Sequence, residues 1–316
     1  MSRISAAELF PSLLADRSED ERRMWSRWVM GSHSDEFIPE MLAAVLELDR
    51  QDPVSLGRPI SNPGPRSDDC IVVASNRGRH CFIWDFQLKC RVILFDFTGD
   101  GILPGSNPFG WEEVSSPCRG KGEVLEFCFQ NLGLPGCDQF IGVIDDDVVV
   151  RSSDVVALLG IARIHGLSAL QPSIPLNTVL SNEYGFLRQR PSISLHRVPL
   201  VEILAPFVRA DLFSLAMGFG KGILSSYGLD RFALPVCAAH LGCWRFAAVD
   251  SIQLEHVRPL RTLQKTYDHG LSSKQEELLV RLRLMIAMGC PVDESSYFAL
   301  ESAVASDRCS VFRANA

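Results

Sequence analysis

Short apolar runs alternate with amphipathic segments through the middle of the chain. The runs are rich in Val, Ile and Phe, which is typical of buried strands, whereas the segments between them space their apolar residues three and four apart, as helices do. This alternation predicts an α/β fold with one mainly parallel, Rossmann-like sheet and helices on its faces. The predicted strands are 70–75, 91–97, 139–144 and 168–174, and the predicted helices between them are 120–134 and 152–167.

The two ends of the chain differ from this middle part. Both carry apolar residues at helical spacing, and a stretch rich in Pro, Gly and Ser at 52–69 is typical of a linker. We therefore expect a helical N-terminal extension with its linker (1–66), an α/β domain (67–265) and a helical C-terminal extension packed on the core (266–316). The apolar stripes of the extensions need a partner surface, either the core or a second copy of the chain, so a homodimer is a further expectation.

Three consecutive aspartates, Asp145, Asp146 and Asp147, directly follow one predicted strand. Carboxylates repel each other and are costly to desolvate, so either the strand ends there in water or a positive group lies against them. Ligands of open α/β sheets bind beyond the carboxyl ends of the strands. In an extended segment Asp145 and Asp147 would point the same way, which suits Mg²⁺ or Mn²⁺ shared with substrate phosphates. The alternative is a solvated turn without a metal.

The composition restricts the partners. The formal net charge of −7 argues against a nucleic-acid-binding protein. The first residues lack the uninterrupted apolar core of a signal peptide, and no stretch approaches the roughly 20 apolar residues that cross a bilayer. The ten cysteines are scattered in apolar contexts, so we expect buried, reduced thiols. These features predict a cytoplasmic protein without a transmembrane segment.

Short motifs accompany the aspartates in a definite order. An opening strand–loop–strand lies upstream, and a Gln–Pro pair, a "VEILAP" stretch, a "YGLD" and a late "VDSIQLEH" lie downstream. In this order, over roughly 68–262, the chain resembles glycosyltransferases of the GT-A type. More specifically, it resembles the uncharacterised family labelled lysine-ketoglutarate reductase trans-splicing-related. The downstream motifs stand at 171–172, 201–206, 227–230 and 249–256.

The resemblance implies a nucleotide-sugar donor, UDP-linked in the first instance, held through Mn²⁺ or Mg²⁺. In GT-A enzymes the second carboxylate of the acidic motif is the usual direct ligand, and a late histidine often binds the same ion. Asp147, Asp145 and His256 are therefore the implied metal ligands, and Asp145 and Asp146 the implied donor contacts, with Asp146 meeting the ribose or solvent. Without the motif order, a single late histidine is more often an ordinary surface or core residue.

The same resemblance places Asp230 where GT-A enzymes carry an acidic residue close to the acceptor. A carboxylate there would take the proton from an acceptor hydroxyl as it attacks the anomeric carbon, which gives inversion in one displacement. A cap or turn aspartate after Gly228 is the alternative. Glu202, inside an apolar stretch, is the second candidate for the base or for an acceptor contact, although a buried salt bridge would also account for it.

The part of the site that binds the nucleotide of the donor is expected at the first two strands. Ser75, Asn76 and Arg77 follow the first strand, where a nucleotide-binding loop belongs, and Asp96 closes the second, where it would meet the base or ribose. Lys121 opens a predicted helix, where a lysine and free backbone N–H groups would face a phosphate. Each of these side chains is also compatible with an ordinary surface position.

Cys237, His240 and Cys243 have short, regular spacing and are the candidates for a second metal site. A structural Zn²⁺ requires four ligands, and no neighbouring residue offers the fourth. The segment is equally typical of a buried turn between apolar stretches, and this interpretation is favoured.

The leading hypothesis is a metal-dependent glycosyltransferase that moves a sugar to a hydroxyl of a glycan, lipid-linked or protein acceptor. One alternative is a non-catalytic protein that uses the same fold to bind a partner. Another is a nucleotidyltransferase, which also uses acidic metal ligands but expects a Gly-rich basic loop after the first strand, and "SNRGRH" matches that loop only in part. Mn²⁺-dependent hydrolysis of nucleotide-sugars separates the three.

Overall fold

The computed structural model of the chain describes residues 12–31, 64–131, 138–176, 182–258 and 266–314, together with 39, 41–45 and 47. A 3₁₀-helix covers Asn182–Leu187, and a π-helical turn covers Leu229–Ala233. Much of the predicted N-terminal extension (1–66) lies outside the described residues. The α-helices are α1 (Glu19–Met30), α2 (Lys121–Asn131), α3 (Ser152–Ile164), α4 (Ala210–Phe219), α5 (Leu234–His240), α6 (Ser273–Ala287) and α7 (Glu294–Ala314).

The described strands form one large sheet and one two-stranded ribbon. The large sheet has the order β3-β2-β1-β4-β8-β6-β9-β7, and the ribbon pairs β5 with β10. The strands are β1 (Cys70–Ser75), β2 (Arg91–Asp96), β3 (Glu112–Ser115), β4 (Phe140–Ile144), β5 (Val148–Val149), β6 (Ala169–Ser173), β7 (His196–Arg197), β8 (Phe207–Arg209), β9 (Phe246–Gln253) and β10 (Glu255–His256).

Most strands of the described sheet point the same way. β1 runs parallel to β2 and β4, and β2 runs parallel to β3. β8 runs antiparallel to both β4 and β6, which restores the original direction in β6 and in its parallel neighbour β9. This arrangement confirms the predicted α/β class with a mainly parallel sheet flanked by helices. The carboxyl ends of β1, β2 and β4 share one edge, and the segment after β1 contacts the aspartates there, since the backbone N–H of Cys81 donates to the carbonyl of Asp146 (3.0 Å).

Both faces of the sheet are buried, which explains why its central strands are apolar throughout. Val72 of β1 belongs to the core cluster that includes residues of α1, α2, α4 and α6. Its neighbour Val73 belongs to the cluster that includes residues of α3. Successive side chains of a strand point to opposite faces, so the sheet separates two helical layers.

The helices near the two ends of the chain contact the α/β core. The indole Nε1 of Trp28 in α1 donates to the carbonyl of Arg231 (2.9 Å), and the Arg283 guanidinium of α6 donates to the carbonyl of Phe219 (2.8 Å). Both contacts reach the part of the chain around Asp230. The domain boundaries at 66 and 265 stay a prediction. Within the described residues, none of the helices combines the length and the apolar character that a membrane span requires.

Candidate active site

The three aspartates form a turn at the end of β4, and the ribbon fixes this turn against a distant part of the chain. β5 begins directly after the aspartates, and its Val148 pairs with His256 of β10. The backbone N–H of Val257 donates to the carbonyl of Asp147 (2.9 Å). The antiparallel pairing therefore brings the late histidine beside the acidic motif. All three aspartates are half-buried.

Each aspartate has a basic side chain as its partner. The pairs are Lys121 Nζ–Asp145 Oδ1 (2.7 Å), Arg258 Nη2–Asp146 Oδ2 (2.8 Å) and His256 Nε2–Asp147 Oδ2 (3.3 Å). Lys121 Nζ also donates to the carbonyl of Ile203. The chain itself thus supplies positive groups against the carboxylates, and this explains how three adjacent acids are accommodated at the end of a buried strand.

Burial and these partners act on the pKa values of the aspartates in opposite directions. Burial raises the pKa of Asp145, and Lys121 offsets this only in part. Burial likewise raises the pKa of Asp146 despite Arg258. Burial acts in the same direction on Asp147, but the hydrogen bond and charge of His256, together with the charge of Arg258, outweigh it and lower the pKa. Asp147 is therefore the carboxylate of the three that is held most firmly in its charged form.

Asp147 and His256 fit a divalent cation by donor chemistry and by spacing. Two ligands at neighbouring positions of an octahedral ion, each about 2.1 Å from it, lie about 3 Å apart, close to the 3.3 Å between Asp147 Oδ2 and His256 Nε2. Among the described residues no group of three His, Cys, Asp or Glu side chains is arranged to hold a metal. Asp145 is instead paired with Lys121. The pair could therefore supply two ligands, with substrate oxygens completing the coordination.

Glu202 is half-buried and contributes a carboxyl group with a buried Oε2 to the same region. Its backbone N–H donates to Gln171 Oε1, while its Oε2 is buried and has no hydrogen-bond partner in the described part of the chain. Burial raises the pKa of Glu202 to about 7, with a smaller contribution from the negative charge of Asp230. Lys121 and His256 act on it in the opposite direction. An acid that titrates near neutral pH is suited to proton transfer.

Asp230 is the second buried acid and lies on the π-helical turn, a feature often found at functional sites. It is 8% exposed, and its Oδ1 accepts the backbone N–H of Arg231 (2.8 Å). Burial raises the pKa of Asp230 to about 6, although Arg231 acts against this. The preceding Gly228 has φ +87°, and a Cβ there would lie 3.2 Å from Val280 Cβ. Glycine therefore permits both the left-handed conformation and the close approach of α6 that this turn requires.

The residues predicted to bind the nucleotide differ in whether the fold already uses their side chains. Asp96 is buried and accepts hydrogen bonds from Arg77 N (3.0 Å) and from Thr98 and Ser115 side chains (2.8 Å each). Burial alone would raise its pKa, but these bonds outweigh it and the pKa is about 2. Asp96 therefore serves to fix the loops after β1 and β2.

Of the other residues predicted there, Ser75 is the last residue of β1, and Asn76 and Arg77 follow it in the loop. Ser75 Oγ donates to the carbonyl of Phe95 (3.1 Å), so this hydroxyl is used within the fold. Asn76 is exposed, and the Nε of Arg77 is buried without a partner among the described residues. The side chains of Asn76 and Arg77 are therefore the ones that a nucleoside could recruit.

Cys237, His240 and Cys243 lie on or next to α5 and act as packing residues. Both thiols are buried, and burial raises the pKa of Cys237. His240 Nδ1 accepts the backbone N–H of Leu14 (3.2 Å), so this nitrogen is used within the fold. These contacts agree with a buried turn rather than a zinc site.

Sequence reasoning missed Arg258, whose guanidinium contacts Asp146 and also lies 3.7 Å from Asp147 Oδ2. Arg258 stands two residues after His256. Residues two apart in an extended segment share a side, so the spacing His-x-Arg was the signal that could have identified it.

Comparison with known proteins finds no sequence family for this chain. No family model matches it, so the specific resemblance to the lysine-ketoglutarate reductase trans-splicing-related family is not supported. No curated protein matches it either.

Several solved structures are distantly similar. The mannosyltransferase PcManGT from Pyrobaculum calidifontis, in complex with GDP-Man and Mn²⁺, is 13% identical, with 87% of each chain covered and a TM-score of 0.41. S. aureus TarS 1–349 is 10% identical over 78% of this chain and 73% of its own, with a TM-score of 0.39. GalNAc-T7 with UDP, GalNAc and Mn²⁺ is 10% identical over 78% of this chain and 56% of its own, with a TM-score of 0.40. At this distance the function has to be inferred from the residues of the site.

Proposed function

We propose that this chain is a metal-dependent glycosyltransferase that moves a sugar from a nucleotide-sugar, with UDP as the first nucleotide to test, to a hydroxyl acceptor. The observation that carries the proposal is the contact of Asp147 with His256 (3.3 Å) at the carboxyl end of β4. A carboxylate and an imidazole together suit Mn²⁺ or Mg²⁺. Glu202, whose pKa responds to His256 and Lys121, adds an acid for proton transfer to the same region.

The diphosphate of the donor would bind at the aspartate turn. Asp147 and His256 would hold the Mn²⁺ or Mg²⁺, which supplies charge neutralisation for the departing diphosphate. Lys121 and Arg258 are the neighbouring cations, and each could turn from its aspartate to a phosphate oxygen. Asp145 is the third candidate ligand, because its carboxylate is released when Lys121 turns away. Asn76 and Arg77, on the loop after β1, are the side chains that we assign to the nucleoside.

The acceptor hydroxyl would lose its proton to a buried carboxylate. We assign this role to Asp230 and keep Glu202 as the second candidate. Both pKa values lie near neutral, so either group can be deprotonated before reaction and accept a proton during it. A base acting directly on the attacking hydroxyl supports a single displacement with inversion at the anomeric carbon.

Calorimetry tests the donor half of this proposal. UDP, GDP and CDP are titrated with and without Mn²⁺, and we expect at least one to bind in a metal-dependent manner, because diphosphate and aspartates otherwise repel. Asp147→Ala should remove the metal-dependent part of binding and leave the fold intact. Asp138→Ala is the matched control, since Asp138 is 78% exposed and away from the site. Equal nucleotide affinity with and without metal would contradict the proposal.

One observation favours the alternative of a non-catalytic binding protein. The three aspartates are already paired with basic side chains of the same chain, so they are accommodated without a metal. A protein of this kind would bind nucleotides without metal dependence and would not hydrolyse nucleotide-sugars in the presence of Mn²⁺. A hydrolysis assay over a panel of nucleotide-sugars therefore separates the two functions.

A further inference from the structure

Among the described residues, the Arg258 guanidinium contacts two aspartates of the turn. Its Nη2 lies 2.8 Å from Asp146 Oδ2, and its Nη1 lies 3.7 Å from Asp147 Oδ2. The same Asp147 oxygen is 3.3 Å from His256 Nε2. The guanidinium therefore shares with His256 the carboxylate oxygen that would bind the metal. His256 is paired in the ribbon, and the backbone N–H of Val257 donates to the carbonyl of Asp147, so Arg258 follows directly from a segment that is fixed against the aspartate turn.

The exposure of Arg258 indicates that it can leave this position. Its side chain is 58% exposed, whereas the side chains of Asp146 and Asp147 are 12% and 14% exposed. Water can solvate the exposed guanidinium when it leaves, whereas the mostly buried carboxylates then need another positive group, and a divalent cation at Asp147 supplies one. Two positive charges, a guanidinium and a divalent cation, would repel each other at the same carboxylate oxygen. Binding of one therefore weakens binding of the other.

We propose that Arg258 is an internal counter-ion that competes with the divalent cation for Asp147 and is released to the diphosphate when the donor binds. The inference rests on the proposed function and adds how binding of the metal depends on binding of the donor. The metal alone binds weakly because Arg258 occupies its carboxylate. With a diphosphate present, Arg258 gains another anionic partner, and the metal and the diphosphate each strengthen binding of the other by the same factor.

The test measures Mn²⁺ binding by calorimetry in the absence and presence of saturating UDP. For the wild-type chain we expect UDP to tighten Mn²⁺ binding by about tenfold or more, within the usual range of coupling between sites. For Arg258→Gln we expect Mn²⁺ alone to bind about tenfold more tightly than to the wild type, and the tightening by UDP to shrink. Arg258→Lys keeps the charge but not the two separate N–H contacts, and its affinity for Mn²⁺ alone should lie between those of the wild type and of Arg258→Gln.

Arg151→Gln is the matched control, because Arg151 is similarly exposed (55%) and lies 3.5 Å from Asp85 rather than near the aspartate turn. It should leave both Mn²⁺ affinities unchanged, and thermal unfolding should show that all variants are folded. If Arg258→Gln binds Mn²⁺ alone no more tightly than the wild type while UDP still binds with Mn²⁺, the competition is refuted and the proposed function stands. If none of the proteins binds any nucleoside diphosphate in a Mn²⁺-dependent manner, the proposed function and this inference both fail.

Discussion

Glu202 and Asp230 are acidic side chains at positions where burial makes their charged forms unfavourable. Neither has a basic side chain in a short ion pair among the described contacts, and Glu202 Oε2 has no hydrogen-bond partner there. A residue selected for stability alone would be apolar or would be paired at these positions. At the residue scale, this unfavourable burial is the strongest indication that the region is functional, because strained electrostatics of this kind concentrate at active sites.

Replacing Glu202 by glutamine should stabilise the protein in a pH-dependent manner. The folded pKa of about 7 lies above the ordinary value of 4.5. Stability from protonated Glu202 is therefore present in full below about pH 4.5 and is lost as the pH rises through 7. Glu202→Gln should raise the melting temperature at pH 8 by about a few degrees and change it little at pH 5. Thermal unfolding at both pH values, with the exposed Glu113→Gln as control, checks this; the same shift at both pH values would contradict it.

Replacing Asp230 by asparagine should reduce transfer and spare donor binding. Asparagine keeps the size of the side chain but cannot take a proton, and general base catalysis typically contributes about 10²–10⁴-fold to the rate. The wild-type rate should rise with pH and level off above about pH 6, because the base acts in its deprotonated form. The measurement is the pH–rate profile with an acceptor found by screening. The role of the base would pass to Glu202 if Asp230→Asn had near-normal turnover, Glu202→Gln lost turnover and the midpoint of the pH–rate profile lay near 7.

At the element scale, long apolar runs were predictable and short strands were not. The predicted run 70–75 is β1 as observed, because a strand buried on both faces carries its signal in every residue. β3 is largely exposed and reads "EEVS", and β5 and β10 have two residues each, too few for any periodicity. These strands exist because distant segments pair, and a local pattern does not contain that information.

The contacts of the site were also predictable only in part, because they join distant segments of the chain. Asp147 and His256 were predicted to act together because their motifs come in a recognisable order, and the ribbon brings them into contact. The partner of Lys121 was not predicted: the start of a helix suggested a phosphate, whereas the lysine contacts Asp145. Arg258 was missed because one arginine after a strand is common, and its importance depends on which side chains the fold places opposite it.

Replacing Gly228 by alanine tests whether the π-helical turn requires glycine at this position. Its φ of +87° and the 3.2 Å approach to Val280 leave no room for a relaxed Cβ. Gly228→Ala should therefore lower the free energy of unfolding by about 1–2 kcal/mol and disturb Asp230. Gly218 in α4 is the matched control, because a Cβ there meets nothing within 4 Å, and alanine should be neutral or stabilising by about 0.5–1 kcal/mol. Chemical denaturation measures both; equal effects would show that the turn tolerates a side chain.

For the whole molecule, the active region depends on helices outside the sheet. The backbone N–H groups of Leu224 and Ser225, just before the turn of Asp230, donate to the buried Glu276 of α6 (2.6 and 2.8 Å). His269 Nε2 holds the same carboxylate (2.7 Å). The helical segments near the ends of the chain thus hold the segment that leads into the turn of Asp230, the proposed base. We therefore expect the described parts of the chain to unfold together.

Trp28→Ala tests this cooperativity. Trp28 is 2% exposed, its Nε1 donates to the carbonyl of Arg231 (2.9 Å), and its ring lies 5.9 Å from that of Phe232. Truncating a buried tryptophan typically costs about 3–5 kcal/mol. If α1 and the core form one unit, this loss lowers the stability of the whole protein, so near- and far-ultraviolet circular dichroism should report one coincident transition at lower temperature.

Met30→Ala is the control for that experiment, since Met30 belongs to the same helix but is 52% exposed and should change the transition little. If Trp28→Ala instead produces an early transition of small amplitude while the main transition stays where it is in the wild type, α1 unfolds separately from the sheet. The N-terminal helix would then be an independent attachment, and its contact beside Asp230 would not be required to keep the site in place.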